Sequence, residues 1–246
     1  MVRMWTRSIP GRFEVVLATG LFALFAGAAR PTQSSGNISA NEVAAIATLR
    51  AIYAAENELR ARCAIDTDGD GIGEYGYFAE LAGTKPVRIC VNGGAHAGRR
   101  ENVLPNPLLA MHPLGDVRWS AVESSGYLFE LFLPDECVGG QVAGIREDLN
   151  GGKLSAPYPA AREGARYWCC YAWPMHWGHS GMRAFVVNQT GEILQDLNRN
   201  SIPYDDHVKW PQFDEAYTHL GDMTSPLRFG PEAGGHDNTV WYPVDS

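Results

Sequence analysis

Ser39-Ala40-Asn41-Glu42-Val43-Ala44-Ala45-Ile46-Ala47-Thr48-Leu49-Arg50-Ala51-Ile52 and, far downstream, Gly181-Met182-Arg183-Ala184-Phe185-Val186-Val187-Asn188-Gln189-Thr190-Gly191-Glu192-Ile193-Leu194 decide the fold. In the first stretch and its continuation, Val43, Ile46, Leu49, Ile52, Tyr53 and Leu59 recur at helical spacing. Glu42, Arg50, Glu56, Asn57 and Arg60 are then expected to face water, and the many alanines between allow close approach to a neighbour. Ser39 with Glu42 three residues later reads as a capping box that starts the helix, which is expected to end near Cys63. The second stretch reads as a hairpin, Ala184 to Val187 and Ile193 to Leu197 around Asn188-Gln189-Thr190-Gly191. A helix with one apolar face must bury it, and the hairpin supplies the surface. The expected fold class is α+β, one long N-terminal helix packed on a small antiparallel β-sheet.

Further strands follow from composition. Tyr127 to Leu133 is expected to be the first core strand and to stop at Pro134, and Tyr167 to Trp173 is an aromatic strand stopped by Pro174. Arg88 to Asn92 reads as a short strand and Gly93 to Pro107 as loop. From about residue 199 an irregular extension is expected, pinned by Trp210, Phe213, Tyr217, Phe229, Trp241 and Tyr242, with a short helix near Asp214 to Leu220.

Arg3, Arg7 and Arg12 precede an apolar run from Val15 to Ala29, which is shorter than the ~20 residues of a spanning helix. Ala26-Gly27-Ala28 offers a small-x-small cleavage site. Residues 1–28 therefore read as a signal sequence, with an uncleaved N-terminal apolar anchor as the alternative, and residues 29–246 as a single domain. The expected location is exported: periplasm, cell surface or extracellular space, with membrane contact only through the N-terminal segment. Taking away three arginines and one glutamate moves the net charge from −8 to −10, which disfavours nucleic acid as a partner. Cys63, Cys90, Cys137, Cys169 and Cys170 suit an oxidising compartment, with two disulfides and one leftover thiol expected but no pairing assignable from spacing.

The run from Asn37 to Glu56, the segment Gly76-Tyr77-Phe78-Ala79-Glu80-Leu81, the Gly126-Tyr127-Leu128-Phe129 strand, and Trp173-Pro174 leading to Gly181–Ile193 resemble the type IV pilin-like and type II secretion pseudopilin-like proteins. The resemblance covers most of residues 37 to 195. It implies a helix on an antiparallel sheet as a globular head, assembly through an N-terminal apolar helix, protein partners of the envelope or self-assembly, and no catalysis. The N-terminus departs from that pattern, because Arg12 separates Gly11 from Phe13, Glu14 follows at once, and Pro31 interrupts the apolar helix. The reading is therefore a pilin-like head exported by an ordinary signal sequence; a soluble secreted calcium-binding domain that reuses the fold is the alternative.

Asp66, Asp68, Asp70 and Gly71 match the start of a calcium loop, where carboxylates from alternate residues converge and a glycine makes the sharp turn. The twelfth position is Tyr77 where a bidentate glutamate belongs, so Glu74 is the one further carboxylate expected to join a metal set, and a metal-free aspartate–glycine turn is the competing reading. Asp196, Asn198 and Asn200 form a weaker second series, with Asp205 and Asp206 nearby. The catalytic rival is a hydrolase using Cys170 with His176 or His179, although the two histidines are three apart rather than at the four-residue spacing of a helical zinc motif.

Overall fold

The computed structural model describes residues 35–109, 114–230 and 239–244, so the signal sequence expected over residues 1–28 lies outside the described residues. Helix α1, Ser35–Ala61, is one unbroken run of 27 residues. Its buried positions, Glu42, Ala45, Ile46, Thr48, Leu49, Ile52, Ala55, Glu56 and Leu59, recur at three- and four-residue intervals and form a single stripe. The helix ends where Cys63 adopts φ 48, the left-handed conformation that stops helical hydrogen bonding. Three expectations for this helix fail. Ser39 lies inside α1 rather than at its cap, Glu42 and Glu56 are buried rather than solvated, and Val43 is 63% exposed.

Short helix α2 (Phe78–Leu81) and hairpin β1 (Ile89–Val91) with β2 (Gly94–His96) follow, so the stretch after Gly93 is partly strand rather than all loop. The main sheet then begins with β3 (Ala121–Ser124), β4 (Tyr127–Val138) and β5 (Gln141–Arg146). After helix α3 (Ala161–Gly164) it continues with β6 (Cys169–Pro174), β7 (Ala184–Asn188), β8 (Ile193–Asp196) and β9 (Tyr242–Pro243). It is an antiparallel meander in the order β3-β4-β6-β7-β8-β9. β5 lies on the same side of β4 as β3, farther along that long strand. Strand β4 runs through Pro134 instead of stopping there, because Pro134 faces Gly144 beside a register shift that spares the missing N–H.

Both faces of the sheet are covered. Alternation along β4 and β6 sends Tyr127, Phe129, Leu131, Cys170 and Ala172 toward α1, together with Phe185, Val187 and Ile193. The opposite residues Leu128, Phe132, Cys169, Tyr171, Trp173, Val186 and Leu194 pack against Tyr204, Tyr217, Met223 and Trp241 of the C-terminal segment. That is why β6 and β7 read as continuous apolar runs. The irregular extension is thus a third layer, held partly by the Tyr171 hydroxyl, which donates to Phe213 O (3.0 Å) and accepts from Ala216 N (3.0 Å). The helix expected near Asp214 is absent; the chain there is turns with a bridge between Tyr217 and Leu227. Phe229 and Tyr242 stand exposed rather than pinned, and all five cysteines are free thiols rather than two bridges and one spare.

Candidate functional site

The acidic loop lies where α1 turns back toward the sheet. Gly69 and Gly71 take φ 78 and 82, which side-chain-bearing residues rarely adopt, and Gly73 passes so close to Arg60 O that a Cβ would sit 2.0 Å from it. These glycines fold Asp66, Asp68 and Asp70 onto one side, with one carboxylate oxygen of each within 4.8 Å of the others. Asp66 accepts from Gly69 N (2.8 Å) and Gly71 N (3.0 Å), Asp68 from Asp70 N (3.2 Å), and Asp70 from Ile72 N (2.8 Å). The backbone thus orients the carboxylates while Asp68 and Asp70 remain exposed. Hard oxygen donors converging on a solvent-facing point can hold a divalent cation such as calcium.

Glu74 does not join them. It is buried, and one of its oxygens accepts from Thr67 N and Thr67 Oγ1 while the other faces Arg88 Nη1 at 3.4 Å. It therefore ties the two ends of the loop together from beneath. Arg88 is itself fully buried and also reaches Glu80 Oε1 (3.1 Å) and the Tyr75 carbonyl, with its guanidinium over the Tyr77 ring. Burial opposes its charge, but Glu80 and Glu74 more than offset that and hold its pKa above the ordinary value. Two more carboxylates complete this interior. Glu56 accepts from Gly76 N (2.9 Å), and Glu147 from Ala79 N (2.8 Å) and Gly152 N (2.7 Å). Burial raises the pKa of Glu56 well above the usual range and that of Glu147 to about 8. Nothing in the local sequence marks these glutamates as interior, since each looks like an ordinary surface residue.

The other sequence candidates separate. Cys170 points into the helix-side core, and burial pushes its thiol pKa well up, away from the thiolate a nucleophile needs. His176 and His179 are exposed in the turn beyond Pro174; four extended residues at ~3.3 Å each already put that strand end ~13 Å from Cys170. Asn198 of the second series is buried and bonded at both ends of its amide to the Tyr204 backbone (3.0 and 2.7 Å). Asp196 is buried too, its pKa raised to about 6 by desolvation, so neither it nor Asn198 faces solvent as the aspartates of the acidic loop do. The sequence reading passed over Trp119, which stands 71% exposed beside a hollow of about 470 Å³. Arg118-Trp119-Ser120 contains none of the glycine, asparagine or aspartate that announces a turn.

Fold and loop together define a mixed α/β protein, with a long helix on an antiparallel sheet and an acidic turn at the end of the helix. Residues 22–217 match the family described as "Protein of unknown function (DUF2950)", and the chain belongs to that family. No curated protein and no solved structure matches the chain. Among the described residues, no helix is long and apolar enough to cross a membrane.

Proposed function

We propose that the chain is an exported, non-catalytic structural or binding protein of the cell envelope, with a pilin-like head and a calcium ion held at Asp66, Asp68 and Asp70. The observation that carries this reading is the way α1 is fastened across the meander. Glu42 Oε2 pairs with Arg183 Nη2 at 2.7 Å, Glu42 Oε1 accepts from Met182 N and Arg183 N (3.0 and 3.1 Å), and Asn41 donates to Ser180 O (2.8 Å). The start of the helix is thereby locked to the start of the β7–β8 hairpin, and the helix runs from there across the sheet. Supporting the calcium part, the three aspartates present oriented carboxylates at the opposite end of the same helix, where a cation would fasten the loop.

Intact mass and N-terminal sequencing of the protein from its native host test the envelope role. A start at Ala29 is the expected result and means a cleaved, exported head. A start at Arg12 or Phe13, particularly with methylation, would replace that with a membrane-stored filament subunit, and an unprocessed Met1 would remove export by cleavage altogether.

A further inference from the structure

Arg118 and Ala121 close a two-residue turn just before β3, each N–H donating to the other's carbonyl (2.8 and 3.1 Å). Its central residues, Trp119 and Ser120, have φ 56 and 67. That mirror-image geometry ordinarily calls for asparagine and glycine, so both residues are held in a disfavoured conformation. The turn carries the Trp119 indole out into water, on the shared rim of two hollows of about 470 and 580 Å³.

The charges around the first hollow are one-sided. Asp116, Glu123 and Asp206 line it together with the indoles of Trp119 and Trp210, and its one cationic side chain, Arg118, is paired with Asp116 at 3.0 Å. Surplus carboxylate beside two aromatic faces is the environment that stabilises a guanidinium or ammonium group, by ion pairing and cation–π attraction together. An anion would be repelled, and a neutral sugar could stack on the indole but would draw nothing from the surplus charge. Beyond Trp119, the second hollow offers exposed Leu149, an apolar contact for chain flanking the cation.

We propose that the hollow beside Trp119 receives an arginine or lysine side chain from an exposed segment of a partner protein. The partner's chemistry goes beyond the function stated above, and it does not depend on how the N-terminus is processed or on calcium.

Fluorescence anisotropy with a fluorescein-labelled glycine–arginine heptapeptide of alternating sequence tests the assignment on the full chain. Saturable binding is expected, weakened about tenfold or more in Trp119→Gly, a residue the turn accepts readily, and about threefold in Glu123→Gln. Glu136→Gln with Glu192→Gln, two exposed acids that line neither hollow, is expected to change affinity less than about twofold. Equal loss in the Glu136/Glu192 pair, or no loss in both Trp119→Gly and Glu123→Gln, would mean diffuse attraction to an acidic protein and would overturn the assignment. No saturable binding, or Trp119-dependent binding of chitohexaose in place of the peptide, overturns it as well.

Discussion

Arg88 shows what a single residue contributes. It is a fully buried cation whose guanidinium and backbone N–H engage Glu74, Glu80 and the Tyr75 carbonyl, so it joins the acidic loop to α2. Replacing it by methionine would keep much of its bulk and leave two buried carboxylates without their counter-charge, a change that costs about 3–5 kcal/mol where buried pairs have been broken elsewhere. Urea unfolding should show the free energy of unfolding in water falling by that amount and the midpoint falling with it, and an unchanged midpoint would remove Arg88 from the account of loop stability. The exposed aspartates behave differently. Asp68→Asn with Asp70→Asn should fold as stably as the parent without calcium, within about 0.5 kcal/mol. Added calcium should raise the melting temperature of the parent and not of the double variant, as linkage requires of a ligand that binds the folded state. Equal melting curves for the parent with and without calcium would leave the loop a metal-free turn.

At the scale of elements, packing leaves no room for a methyl group where the chain enters the β7–β8 hairpin beside the start of β4. A Cβ on Gly181 would lie 2.2 Å from the Tyr127 hydroxyl, which itself donates to Arg183 O at 2.9 Å. Gly181→Ala should therefore destabilise by about 1–3 kcal/mol, the usual cost of overpacking, and a thermal melt equal to the parent's would show that the strand end can yield. These same elements show how far the sequence could be read. The apolar stripe of α1 and the strands at Tyr127, Tyr167, Ala184 and Ile193 were legible because period and composition act locally. The misread positions Glu42 and Glu56 are interior for reasons that lie far along the chain. Arg183 awaits the first and the Gly76 backbone the second, and no pattern within a helix reports a partner 141 residues away. The candidate loop was legible in its three aspartates, whose turn is local. Glu74 was misplaced because Arg88 and Thr67 draw it inward, and Trp119 was missed because its turn is imposed on residues that do not favour it.

At the scale of the whole molecule, Glu56, Glu74, Glu130, Glu147 and Asp196 are buried carboxylates whose pKa values burial displaces in one direction, upward. Desolvation raises the pKa of Glu147 and of Glu130 to about 8, the latter despite Arg146 at 2.9 Å, and raises Asp196 to about 6. In the unfolded chain these groups titrate near 4, so between that value and about 8 the folded state binds more protons than the unfolded one. Their favourable contribution is complete at low pH and is lost as pH rises through the folded values. The net charge of −8 adds self-repulsion of the same sign. The protein should accordingly be more stable at pH 5.5 than at pH 8.5, with a higher urea midpoint, the reverse of a protein whose carboxylates are held by salt bridges. Glu147→Gln separates this cause from general repulsion, because the amide can keep accepting from Ala79 N and Gly152 N while imitating the protonated acid. Between pH 5.5 and pH 8.5 the variant should gain on the parent by up to about 3 kcal/mol, the linkage expected of a carboxyl that titrates near 4 unfolded and at about 8 folded. A parallel pH dependence in the two proteins would mean that Glu147 is ionised in the folded state at neutral pH, and it would then have to be counted among the charged groups around Arg88 rather than as a protonated neighbour of them.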